Sequence, residues 1–419
     1  MPKIKRFDVD ALRQDFPALQ QQHQGKPVIF FDGPGGSQVA YRTIQAMQDY
    51  LGRYNSNLGG AFFSSHLTTD LMSKARYYAA NLLNAELPEN IVFGANMSSL
   101  TFSFSRTLAK DWQAGDEIIV TRLDHYANVS SWQQAAKDKG CLVHQIDVNP
   151  DTCDLDYSQL EALISEKTRL IALTYASNTT GTIVDVKRVV DKAYEVGAQV
   201  FVDAVHYAPH HLIDVQSLRC DFLVCSAYKF FGPHIGMMYV HPQWLHRLEP
   251  YKVEPATNIG PGRYETGTQN FEALSGMVAC IEHLAALGDP EASLRLRLKQ
   301  SFEYYSDYEQ QLSLQFLQQL TQFPEVTCYG HTNLNAIAKR TPTFALKMKG
   351  IDSGELAKYL AEQNICVWSG HFYAVGLLEQ LQCEEHGGFL RVGLMHYNTQ
   401  QEIETFFKAL RLGIEALSP

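Results

Sequence analysis

The chain has 419 residues, 45% of them hydrophobic and 19% charged, with 35 Lys and Arg against 45 Asp and Glu for a formal charge of −10. That balance excludes a disordered chain, and the acidic excess argues against a phosphate-backbone binder, so no nucleic-acid partner is expected. No run of eighteen apolar residues occurs, so no membrane span is expected.

The first ten residues mix charged and apolar positions without a signal-peptide core, which leads to the expectation of a cytoplasmic protein. Residues 1–25 are read as an N-terminal segment that packs on a C-terminal domain. From there, short β-branched runs alternate with helical patterns. The runs are Glu117–Thr121, Leu142–Ile146, Leu170–Tyr175, Gln199–Val202 and Phe222–Cys225. The helical patterns include Ala127–Lys139, Tyr157–Ser165 and Val186–Val196. Strand, helix and strand joined by short loops predict right-handed crossovers and a mainly parallel sheet covered on both faces. The texture changes after Gly267. A helix is expected over Asn270–Leu287, broken by Gly288-Asp289-Pro290, and a long one from Glu291 to Leu320. Strands Thr343–Lys347, Ile365–Trp368 and Phe389–Leu394 then mix with helices Ser353–Glu362 and Gln400–Leu417. The expected division is a large α/β/α domain over 26–289 and a smaller α+β domain over 290–419. The eight cysteines show no CxxC and no zinc spacing, so they read as reduced structural thiols and no metal is expected.

In a parallel sheet, ligands sit beyond the carboxyl ends of the strands. Asp203 follows Val200-Phe201-Val202, and Ser226-Ala227-Tyr228-Lys229 follows Phe222–Cys225. A lysine and a carboxylate over one sheet edge suit a pyridoxal phosphate site. The amine forms a Schiff base with the cofactor, and the acid keeps the ring nitrogen protonated. Taken singly, a strand-end aspartate also caps turns, and a loop lysine is commonly solvated. Ser98 and Ser99, at the start of a helical pattern, can serve an anion or simply cap the helix. His125 and Asn178 follow two further strands. Each is either a ring contact or an ordinary loop residue.

Together these strings resemble the cysteine desulfurase-like branch of the class V aminotransferases, which are fold-type I pyridoxal phosphate enzymes. The resemblance runs from about Phe16 to about Glu415. It is carried by Phe201-Val202-Asp203, Ser226-Ala227-Tyr228-Lys229-Phe230-Phe231-Gly232-Pro233 and Arg263-Tyr264-Glu265-Thr266-Gly267-Thr268. Phe31-Asp32-Gly33-Pro34-Gly35-Gly36 resembles the family's substrate-side entry segment. The resemblance implies Lys229 as the Schiff-base lysine, Asp203 at the pyridinium nitrogen and His125 stacked on the ring. It implies Asn178 and His206 near the phenolic oxygen, with His206 where glutamine is more usual. Ser98, Ser226 and Tyr228 match phosphate contacts, and Thr268 matches a threonine that reaches the phosphate across a homodimer interface. Arg391 matches the arginine that grips the α-carboxylate of a small amino-acid substrate, a task its planar fork suits.

The match breaks at Trp368-Ser369-Gly370-His371-Phe372-Tyr373-Ala374, where Tyr373 stands in place of the sulfur-accepting cysteine. Cys383 is either a displaced nucleophile or a plain loop thiol, and Cys366 reads as core. The expected protein is therefore a pyridoxal phosphate enzyme of the C–S lyase or desulfurase type. Transamination and epimerisation stay open, as does a non-catalytic binding relative. Whether a sulfur-accepting partner protein takes part also stays open.

Overall fold

The computed structural model describes residues 7–418, so the first six residues of the expected N-terminal segment lie outside the described residues. A seven-stranded sheet organises the larger part. Its strands are β1 (Ile91–Gly94), β2 (Glu117–Thr121), β3 (Leu142–Ile146), β4 (Thr168–Thr174), β5 (Gln199–Asp203), β6 (Phe222–Ser226) and β7 (Gly236–Val240). They lie in the order β1-β7-β6-β5-β4-β2-β3. All neighbours are parallel except β7, which runs antiparallel to both β6 and β1. The parallel strands match the expected runs to within two residues at either end. Strand β7 was not expected. It is a run of five buried residues that inserts between two strands far apart in sequence.

Alternation along these strands builds two cores. Ile118, Val120, Phe201, Phe222 and Val224 face one layer, while Ile119, Val200, Val202, Leu223 and Cys225 face the other. A strand sends successive side chains to opposite faces, so a sheet covered on both sides needs continuous apolar runs. Local capping fixes the helices. Asp185 accepts from the Arg188 amide to start Val186–Val196, and Gly197, at φ +73°, ends it.

A second, antiparallel sheet contains β8 (Val326–Tyr329), β9 (Thr343–Met348), β10 (Trp368–Gly370) and β11 (Phe389–Gly393), in the order β8-β9-β11-β10. Helices Ser353–Glu362 and Gln400–Leu417 pack on it, within the expected bounds. The expected strand Ile365–Trp368 is two pieces. Ile365–Cys366 pairs with Ile29–Phe30, whereas Trp368 starts β10 against β11, and the change of partner forces the break.

Helix Leu294–Leu320 joins the two parts. Leu298, Phe302 and Tyr305 enter the larger core, and Leu312, Phe316 and Leu320 enter the smaller. Leu12, Phe16 and Leu19 join the larger core, while Ile29 and Phe31 join the smaller one. Among the described residues no helix is long and apolar enough to cross a membrane.

Candidate active site

The carboxyl ends of β2, β4, β5 and β6 converge on one cavity of about 460 Å³. That size lies within the range of small-ligand sites. Its wall includes Ser98, His125, Asn178, Asp203, His206, Ser226, Tyr228 and Lys229, which brings together eight of the eleven expected site residues.

Lys229 sits on the turn after β6. Its Nζ donates to the carbonyl oxygens of Pro34, at 2.5 Å, and Gly35, at 3.1 Å. Burial lowers the amine to about 7, helped by the positive charge of Arg391 and opposed by Asp203. Asp203 ends β5 and is 4% exposed. Its Oδ1 accepts from the Val205 amide at 2.9 Å, which leaves Oδ2 for a ring N–H. Burial raises this carboxyl to about 6, against that hydrogen bond and the pull of Lys229. Behind it, Asp124 is fully buried and raised to about 8, again chiefly by burial, although Thr121 and Asn128 donate to it.

His125 accepts from the Ala127 amide at Nδ1, 3.1 Å away, so the proton of the neutral ring lies on Nε2. Burial, then Lys229 and Arg391, lower it to about 4 and keep it uncharged at neutral pH. The helix Met97–Leu108 starts at the cavity. The Ser226 hydroxyl accepts from the Met97 amide at 2.9 Å and keeps its own proton to donate.

Arg391, on β11, is 4% exposed, and burial lowers it to about 9. Its guanidinium donates to the Asn178 carbonyl at 2.9 Å and lies 4.0 Å over the Phe372 ring. Among the described residues its Nε has no partner. Asn178 in turn donates to the Phe372 carbonyl at 2.9 Å. The loop that carries the expected cysteine position is thus tied to the arginine. Phe372 and Tyr373 both take φ near +50 to +60°, and Tyr373 stacks on His125 with centroids 5.1 Å apart.

Two expected contacts lie elsewhere. The Ser99 hydroxyl is engaged with the Asn96 backbone in a reciprocal cap, and Ser99 lines a neighbouring cleft instead. Thr268 is exposed on that same cleft, which shares Ala95 and His234 with the cavity. Cys383 is not an accessible loop thiol. It is 1% exposed among Ala345, Leu378 and Phe389, and its Sγ donates to the Tyr329 hydroxyl at 3.2 Å. Cys366 is half-buried rather than core. Sequence reasoning missed His234, which stacks on Tyr228 at 5.0 Å, and the carbonyl oxygens that hold Lys229.

The residues fit pyridoxal phosphate. A depressed lysine amine, a buried carboxylate with one free oxygen, a neutral flat ring and a helix start with free hydroxyls are the donor set that the aldehyde, ring nitrogen, ring face and phosphate require. This fold and cavity define a fold-type I transferase. The class-V aminotransferase sequence profile matches residues 29–406. An aminotransferase-like protein of Gibberella zeae is 31% identical over 97% of this chain and 98% of its own. A cysteine desulfurase of Escherichia coli is 30% identical over the same shares. Among solved structures, the apo cysteine desulfurase of Thermococcus onnurineus superposes with a TM-score of 0.86 at 26% identity, covering 97% of this chain and 98% of the other. The Escherichia coli cysteine desulfurase CsdA gives 0.84 at 25% identity, over 98% and 99%. The chain belongs to the class-V aminotransferase family, a family of pyridoxal phosphate-dependent enzymes that includes the cysteine desulfurases.

Proposed function

We propose that the protein binds pyridoxal phosphate at Lys229 and eliminates a β-substituent, sulfur in the first instance, from a small amino acid. The observation that carries this reading is Lys229 and Asp203 on the wall of one cavity, with Arg391 bonded to the carbonyl of Asn178, which lines the same wall. Bound there, pyridoxal phosphate supplies an aldehyde for the substrate amine and a ring that takes up the electron pair left at Cα.

The chain's own residues supply the rest. The Arg391 fork binds the α-carboxylate, with Phe372 and Asn178 holding its plane. The Lys229 amine, balanced near neutral pH, takes the proton from Cα and delivers it to the departing group. Asp203 holds a proton at the ring nitrogen, and His125 covers the ring face. Asn178 and His206 stand by the phenolic oxygen. The hydroxyl and amide of Ser98, with Ser226 and Tyr228, hold the phosphate, while Ser99 acts through the cap.

Desulfuration needs one group more, an activated thiol. Burial raises all eight thiols above their ordinary range, and the family resemblance puts Tyr373 where the nucleophile would stand. Elimination needs no thiol. Eight free cysteines suit the reducing cytoplasm. A homodimer is part of the reading. Thr268 is exposed beside the phosphate end, and Tyr41, Ile44, Phe62 and Phe63 leave large apolar surface uncovered.

Product analysis with L-cysteine tests it. Equal amounts of pyruvate, ammonia and sulfide are expected from wild type and Cys383→Ala, and none from Lys229→Ala. Alanine with protein-bound sulfur, lost in Cys383→Ala, would replace elimination by desulfuration with a buried nucleophile. Light scattering that finds a stable, fully loaded monomer would remove the dimer.

A further inference from the structure

The cavity residue set by the phenolic oxygen opens onto a polar chain that the reaction above does not use. His206 is buried, and its Nε2 lies 3.1 Å from the hydroxyl oxygen of Thr341. That hydroxyl also lies 3.3 Å from the Gly181 carbonyl oxygen, which can only accept. Two proton arrangements satisfy these distances. In one, Thr341 donates to a bare His206 Nε2, and Gly181 keeps only the Thr341 amide, at 2.8 Å. In the other, His206 Nε2–H donates to Thr341, and Thr341 donates on to Gly181. The second makes one more hydrogen bond in a buried site and aligns both donors in one chain, so it is the more stable.

Burial, then His210, Arg391 and Lys229, hold His206 well below the ordinary imidazole range, so the ring is neutral and carries one N–H. With that proton on Nε2, as the Thr341 contact favours, Nδ1 is a bare lone pair. Among the described residues no carboxylate bonds His206 to draw in a second proton. The acid on its far side, Glu309, is bonded to His210, whose Nδ1 lies 2.9 Å from Glu309 Oε2. The His210 ring packs edge-on to His206 with centroids 5.3 Å apart.

We propose that His206, its tautomer set by Thr341, accepts a hydrogen bond from the phenolic oxygen of pyridoxal phosphate and thereby keeps that oxygen protonated. This rests on the cofactor reading above. A glutamine amide, the family's more usual residue, can donate N–H and favour the phenolate. His206 reverses that preference. Thr341 is a positioning residue, acting through His206.

The test is the absorption spectrum of the holoprotein, because the neutral phenol absorbs in the near ultraviolet and the phenolate in the visible. Wild type is expected to be mainly in the near-ultraviolet form at neutral pH. His206→Gln is expected to raise the visible-to-near-ultraviolet ratio about tenfold, the ratio for one pKa unit. Thr341→Val frees the tautomer and moves the ratio the same way, and Thr341→Ser restores the wild-type value. Equal ratios in wild type, His206→Gln and Thr341→Val would overturn the proposal. NMR of isotope-labelled histidine gives a second readout: Nε2–H on His206 supports it, and Nδ1–H overturns it. Cofactor released by acid and counted against protein separates the two readings. Full cofactor with an unchanged ratio removes only the His206 assignment, whereas no bound cofactor removes the reading above as well.

Discussion

Lys229 Nζ donates to the carbonyl oxygen of Pro34 at 2.5 Å, a contact between residues 195 positions apart. The lysine at the edge of the larger sheet is thereby held by the loop that follows Ile29–Phe30, which pairs with the smaller part. Two carbonyl oxygens stabilise an ammonium there, yet burial outweighs them and lowers the amine from 10.5 to about 7. The unfolded chain therefore binds more protons between about pH 7 and 10.5, so this amine destabilises the fold at low pH and ceases to do so as pH rises through that window. Lys229→Met removes the titration. The stability of Lys229→Met minus that of wild type is expected to shrink by a few kcal/mol, on the order of one per pH unit, across the window. Urea unfolding of both apoproteins at several pH values measures it, and a constant difference would contradict the buried amine.

Asp203 titrates in the opposite sense. Its folded value is raised from 3.8 to about 6, so the apoprotein holds the extra proton in that window and loses stability as pH rises through it. A ligand with a protonated ring nitrogen needs the ionised carboxylate. Pyridoxamine phosphate, which cannot react with Lys229, isolates this contact. Its affinity is expected to fall about tenfold per pH unit below about pH 6, relative to Asp203→Asn. Equilibrium dialysis of the two proteins checks it, and parallel curves would remove Asp203 from the ring nitrogen.

Arg391 feels the nearby Asp32 carboxylate but forms no ion pair among the described residues, and its plane is set by Phe372 on one face. Lysine would keep the charge but lose both the fork and the stacking. Arg391→Lys is expected to raise KM for the amino acid about 10- to 100-fold, the worth of a charge-assisted hydrogen bond, with a smaller change in kcat. Steady-state kinetics separate the two, and a fall in kcat alone would assign Arg391 elsewhere.

Those three residues were legible in the sequence for a common reason. Each follows or lies in an apolar run, so the strand ends that deliver Asp203 and Lys229 to one sheet edge can be counted along the chain. A lysine and an acid at one edge already suit pyridoxal phosphate, and the family resemblance assigns the remaining contacts. What was not legible depends on long-range pairing or on backbone atoms. His206 meets Thr341 across 135 positions, and Pro34 and Gly35 serve through carbonyl oxygens that no residue type announces. Ser99 has the composition of a phosphate contact, but its neighbour Asn96 takes its hydroxyl for the helix cap. Cys383 stands in a loop by pattern, yet the seam between Leu378 and Phe389 closes over it.

The dimer reading makes one further demand, on the loop that carries Thr268. Three positions earlier, Glu265 accepts two hydrogen bonds from Arg76, at 2.8 and 2.6 Å, and one from the Phe93 amide at 2.8 Å. Arg76 also donates to the Ile91 carbonyl, so this pair clamps the loop to the edge strand β1. The side chains are 14% and 6% exposed, so neither charge can turn to water when the other is removed. Glu265→Ala leaves Arg76 buried and unpaired, and is expected to cost about 3–5 kcal/mol of stability. The double variant Arg76→Met, Glu265→Leu removes both charges and is expected to recover most of that loss, because the penalty lies in the orphaned ion. If Thr268 serves a second copy's phosphate, Glu265→Ala also weakens cofactor retention at protein concentrations where the dimer persists. Urea unfolding and gel filtration of the three proteins measure both effects. A Glu265→Ala protein as stable as wild type would mean that the clamp contributes no more than a surface pair.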